Sequence, residues 1–91
     1  MHILTPNDWL QFRELFDKQN PKFIIQLKAQ YPNLTNTEIR LFLLIKAGFE
    51  ATEIAAVSGV STNSIYTSRY RLRKKLNLAE EKDLEKYVQN F

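Results

Sequence analysis

Apolar positions along this chain recur at spacings of three and four and almost never alternate, so the pattern predicts helices and no sheet. Thr5-Pro6 reads as a helix cap followed by proline at the first helical position. Trp9, Phe12 and Phe16 follow as one apolar stripe, with Leu15 beside them. Asn20-Pro21 repeats the cap-and-proline signal and opens a second short helix, whose stripe is Phe23 or Ile24, then Leu27 and Tyr31. Pro32 ends it, because the residue before a proline is pushed away from helical angles. The first third therefore reads as an αα-hairpin whose aromatic stripe suits core packing.

Thr35-Asn36-Thr37-Glu38 is a capping box: Thr35 can bond the amide of Glu38, whose carboxylate can reach back. The helix it opens runs on to Gly48 and carries five consecutive apolar residues, Leu41 to Ile45. That exceeds one stripe, so this helix needs cover on more than one side. The hairpin is expected on one side and the following helices on the other. Ala51–Ser58 forms a short helix stopped by Gly59, which suits a left-handed position. Val60 is then expected to return to the core. Ser61, with Ser64 three residues on, caps a helix from about Thr62 to Leu76. A last helix spans about Glu80 to Phe91, with Leu84, Tyr87, Val88 and Phe91 on one side. The expected organisation is a single all-α domain. It comprises an N-terminal hairpin (1–33), a helix-turn-helix core (34–78) and a C-terminal helix (79–91).

Composition narrows the function. The 91 residues suffice for one small core, not for a Rossmann sheet, a (β/α)₈ barrel or a two-domain enzyme. No apolar run approaches the ~18 residues of a membrane span. The first residues lack the basic and apolar regions of a secretory signal. There is no cysteine, hence no disulfide and no thiolate metal site, which fits the cytosol. His2, beside the initiator, is the only histidine, so histidine acid–base chemistry has no donor in the body of the chain. Glu38 and Glu53 are better explained by a capping box and a helix first turn than as a catalytic pair. The expectation is a non-enzyme without cofactor or metal.

Charge is unevenly placed. Residues 1–50 hold six basic and five acidic groups, whereas residues 51–76 hold five basic groups against Glu53 alone. Residues 77–91 reverse the sign, with four acidic and two basic groups. The five central cations, Arg69, Arg71, Arg73, Lys74 and Lys75, lie within seven residues. Such a local footprint is of the kind that neutralises phosphates.

The same stretch satisfies the geometry of a helix-turn-helix. Ala55 is small where a second helix crosses, Gly59 supplies the positive φ of the turn, and Ile65 anchors the second helix. At ~100° per residue, Ile65, Leu72 and Leu76 form the buried edge of that helix. Asn63, Thr67, Tyr70 and Lys74 fall opposite. Tyr66 and Arg73 lie on one flank, Ser64 and Arg71 on the other, and Arg69 near the buried edge. Amides and hydroxyls can bond base edges, threonine and tyrosine can touch thymine methyls, and cations hold phosphates.

Leu34-Thr35-x-x-Glu38, Gly48, Glu53-Ile54-Ala55, Ser61-x-x-Ser64-Ile65 and Lys75-Leu76 together resemble the LuxR/GerE-type helix-turn-helix over residues 34–78. The Trp9 to Phe12 hairpin segment and the Tyr31 to Thr35 lead-in extend the likeness to the subgroup at the C-terminus of large bacterial sensor-regulators. The resemblance implies a DNA-binding output domain whose sensing part lies outside these residues. It implies that Tyr66, Thr67 and Tyr70 face bases, and that Thr35, Thr52, Ser61, Ser64 and Arg73 or Lys74 hold the backbone. It also implies dimerisation through the last helix. Tyr66 and Ser68 stand where the family often has lysine and histidine, so its base preferences do not transfer. Glu50 stands where it usually has a Ser or Thr cap.

The function expected is sequence-specific binding of double-stranded DNA by a bacterial transcription regulator, in the cytoplasm, with a contact to RNA polymerase as a further partner. Base readers are Asn63, Tyr66, Thr67 and Tyr70. Backbone contacts are Thr35, Thr52, Ser61, Ser64, Arg69, Arg71, Arg73 and Lys74. Arg69 has a second reading, a partly buried pair with Glu38 or Glu53. Tyr66 and Tyr70 could instead stack in a protein interface. Leu84, Tyr87, Val88 and Phe91 either pack on the chain's own core or form a two-fold homodimer contact. Two other functions compete. Ser68-Arg69-x-x-x-Arg73-Lys74-Lys75-Leu76 also resembles region 4 of sigma factors, and a helix-turn-helix can serve protein interaction without touching DNA.

Overall fold

Helix starts follow the capping residues. The Asp8 amide donates to Thr5 Oγ1 at 3.1 Å, and the Thr5 amide donates to Asp8 Oδ2 at 3.1 Å. The same reciprocal pair recurs between Thr35 and Glu38, at 2.8 and 3.2 Å. A computed structural model describes residues 5–79 and 83–91 of the chain. In chain order the helices are α1 (Pro6–Gln19), α2 (Phe23–Gln30), α3 (Asn36–Lys46), α4 (Ala51–Ser58), α5 (Thr62–Lys75) and α6 (Leu84–Asn90). The described residues contain no strand, and none of their helices is long and apolar enough to cross a membrane.

The fold is built around α3. All five residues from Leu41 to Ile45 are buried, as a helix apolar nearly all round requires. α5 and α6 pack directly on it, and α4 packs on α5. The hairpin covers it through aromatic rings. Phe12 meets Phe16 and Phe49, Phe16 meets Phe23, and Phe23 meets Phe42 of α3 at a centroid distance of 5.9 Å. Phe91 completes the train, edge-on to both Phe23 and Phe42 at 5.5 and 5.4 Å. The Arg40 guanidinium lies 4.7 Å from the Trp9 ring centroid and fixes α1 to α3 by a cation–π contact.

Four local expectations are corrected. Asn20 does not open α2; its side-chain amide and its backbone N–H both donate to Phe16 O and close α1. Pro21 and Lys22 then form the turn, with Lys22 at φ 70°, and α2 begins at Phe23. Leu15, expected beside the stripe, is exposed at its edge. Val60 does not return to the core: it is 46% exposed. Its amide donates to Ala55 O at 3.1 Å, which holds it at the rim of the turn. The last helix is also shorter than expected. It starts at Leu84 with Asp83 as its cap, and the expected first turn at residues 80–82 lies outside the described residues, as does His2.

Candidate nucleic-acid interface

The turn before α5 is set by Gly59 at φ 70°. Gly59 and Val60 donate to Ala56 O and Ala55 O, a left-handed ending of α4 that a Cβ would oppose. Ala55 is 4% exposed beneath the crossing, and Ile65 is 6% exposed facing back. Ser61 Oγ accepts from the Ser64 amide at 3.1 Å and starts α5. Glu50 caps α4 without a Ser or Thr hydroxyl: the Glu50 amide donates to Glu53 Oε1 at 3.0 Å.

α5 presents the face expected of it. Ile65, Leu72 and Leu76 are buried, while Asn63, Tyr66, Thr67, Tyr70 and Lys74 are exposed. Lys74 Nζ lies 4.7 Å from the Tyr70 ring centroid, so ring and ammonium stand together on that face. Two shallow grooves border it. One, of ≈ 590 Å³, joins Arg71, Lys74, Lys75 and Ser68 to Thr35 and Thr37 at the start of α3. The other, of ≈ 470 Å³, joins Tyr66 and Arg69 to Ala51 and Thr52 at the start of α4. The start of a helix is electropositive and suits an anion, while the first groove also carries Glu38 and the second Glu50 and Glu85. Thr37 and Ser68 belong to this surface although no role was expected of them. The wheel carried a signal for Ser68, which falls with Ser64 and Arg71.

The cations are not equivalent. Arg69 pairs with Glu85 of α6, neither with Glu38 nor with Glu53. Lys75 pairs with Glu38 at 2.7 Å and donates to Asn33 O at 3.0 Å. Burial opposes the charge of Glu38. The Lys75 ammonium and the Thr35 amide and hydroxyl outweigh it and hold that carboxyl below its ordinary value. Arg73 donates to Ala79 O at 2.9 Å. Arg71 and Lys74 project from the exposed side.

The stripe on α6 is used at home. Leu84 and Val88 are 1% and 0% exposed in the chain's own core. Phe91 packs among Phe23, Phe42 and Tyr31, and the Tyr87 and Tyr31 hydroxyls share a hydrogen bond. A dimer contact through Leu84 or Val88 would require opening that core, whereas Tyr87 and Phe91 are half-buried and line a surface groove with Gln26, Gln30 and Asn90. Lys86, Gln89 and Asn90 are the exposed residues of α6.

The family model for GerE, bacterial regulatory proteins of the luxR family, matches residues 32–88. The chain belongs to the luxR family. Its match begins just before α3 and spans the turn, α5 and most of α6, so the face between the two grooves and all of their lining but Gln89 lie within it. Membership makes this a domain of DNA-binding regulators. No curated protein and no solved structure gives a match.

Proposed function

We propose that this luxR-family chain binds double-stranded DNA sequence-specifically as the output domain of a bacterial transcription regulator. In this reading α5 enters the major groove and α4 crosses the backbone. The observation that carries it is the exposed α5 face: Asn63, Tyr66, Thr67 and Tyr70 stand out between two grooves that end on helix N-termini and cations. That arrangement matches the division of labour in such complexes, where groups at the start of the second helix meet base edges and flanking groups hold phosphates. Arg71, Arg73 and Lys74 supply the phosphate contacts, with Thr35, Thr52, Ser61 and Ser64 at the rims. Arg69 joins them by exchanging Glu85 for a phosphate.

The test is fluorescence anisotropy of a labelled random-sequence duplex of about 30 base pairs, titrated with the protein between about 50 and 200 mM salt. Three to five phosphate contacts per domain give a log–log slope of about −3 to −5. Absence of binding at low salt by the folded protein would overturn the proposal and point to a protein partner.

A further inference from the structure

The charges of α5 are segregated along its length. From Thr62 to Ser68 it carries none; from Arg69 to Lys75 it carries five cations. In a helix-turn-helix the N-terminal end of the second helix meets base edges. On the proposed DNA-binding reading, the base-facing end is therefore uncharged. Guanine is most often read by the paired donors of arginine or by lysine, and that end has neither.

Two hydroxyl protons there are committed to the helix backbone. Thr67 Oγ1 donates to Asn63 O at 3.1 Å, and Ser68 Oγ donates to Ser64 O at 3.0 Å. Ser61 and Ser64 hydroxyls bond one another at 3.0 Å. Thr67 is exposed, so with its proton committed to the helix it offers a partner its methyl group and an acceptor oxygen, with no donor to spare for guanine. Beside it stand Asn63, whose amide can pair both adenine edge atoms, and the exposed rings of Tyr66 and Tyr70.

We infer that the base-reading end of α5 recognises A·T pairs, with the Thr67 methyl group packing on a thymine C5-methyl and its hydroxyl making no base contact. This assigns a class of sequence to the site and separates Thr67 from the hydrogen-bonding readers. Arg71 and Lys74, further along the helix, serve affinity and not the choice of base at that position.

The experiment is selection from a random 30-base-pair library, followed by resynthesis of the winning duplex with each thymine replaced in turn by uracil. Uracil keeps the pairing edge and removes only the methyl. At one or two thymines the replacement should weaken binding about fourfold, the worth of one buried methyl group. That effect should persist in Thr67→Val, which keeps the methyl, and vanish in Thr67→Ser, which keeps the hydroxyl. A selected core of G·C pairs, or no uracil effect at any thymine, would overturn the inference while leaving DNA binding intact. Loss of the uracil effect in Thr67→Val together with its persistence in Thr67→Ser would assign the contact to the hydroxyl and overturn it too. A library that shows no salt-dependent binding would overturn the DNA-binding reading and this inference with it.

Discussion

Arg69 of α5 and Glu85 of α6 form an ion pair in which the arginine side chain is largely covered and the glutamate is about half exposed. A phosphate arriving beside α5 must compete with Glu85 for that guanidinium. Glu85→Gln should therefore raise affinity for duplex DNA by up to about fivefold, the range of a partly exposed pair. Anisotropy titrations of both proteins check this. An unchanged affinity would show that Arg69 makes no phosphate contact.

Tyr70 carries two roles at once, an exposed ring and a perch for the Lys74 ammonium. Tyr70→Ala is expected to cost about 1–3 kcal/mol on the selected duplex and relax the preference at one position. Random duplex should lose less, because Lys74 keeps its charge. Equal losses on both duplexes, measured side by side, would remove Tyr70 from the base readers.

The parts of this fold visible in the sequence are those set by neighbours in the chain. Thr35 and Glu38 are three residues apart, and their capping box is where the spacing put it. Ile65, Leu72 and Leu76 share a helix edge by period alone. What escaped was decided by docking between distant segments. Arg69 sits near the buried edge of α5, so a partner was expected, but Glu85 faces it only because α6 packs on α3. The carboxylate thought available, Glu38, is taken by Lys75. Asn20 failed for a different reason: its side chain can serve the helix before it or the one after, and local spacing does not decide which.

The Tyr87 hydroxyl links α6 to Tyr31 at the end of α2. Burial, and then the Tyr31 hydroxyl, push its pKa up to about 12. In the unfolded chain a tyrosine titrates near about 10. Between these values the native state binds more protons than the unfolded one, so stability falls as pH rises. The contribution is fully present below about pH 10 and lost as pH climbs through about 12. Denaturant titrations across that window should show a slope that Tyr87→Phe flattens. An identical alkaline slope in the variant would place the effect elsewhere.

Glu38 gives the opposite sign. Its carboxyl is held below the ordinary value, so the unfolded chain takes up the proton first as pH falls. Its contribution is present above about pH 4.3 and lost progressively below it. Glu38→Gln should lower stability at pH 7, where the charge pairs Lys75, and the gap to the unmodified protein should close in acid. A gap independent of pH would mean that only the shape of the side chain matters.

Leu84 tests what α6 is for. It is 1% exposed, and Gln89 on the same helix donates to Ile45 O and Lys46 O, two of the carbonyls left open at the end of α3. Leu84→Ala removes three carbons from a filled core and should cost about 2–5 kcal/mol. For a domain of this size each kcal/mol lowers Tm by about 4–8 °C. The alternative, that Leu84 chiefly holds two copies together, makes a different prediction. Loss of a dimer contact changes stability in proportion to the logarithm of protein concentration, whereas loss of core packing does not. Thermal unfolding at two concentrations tenfold apart separates them. A Leu84→Ala deficit in Tm that is the same at both concentrations assigns the residue to the chain's own core. A deficit that appears only where the unmodified protein is dimeric would assign it to an interface.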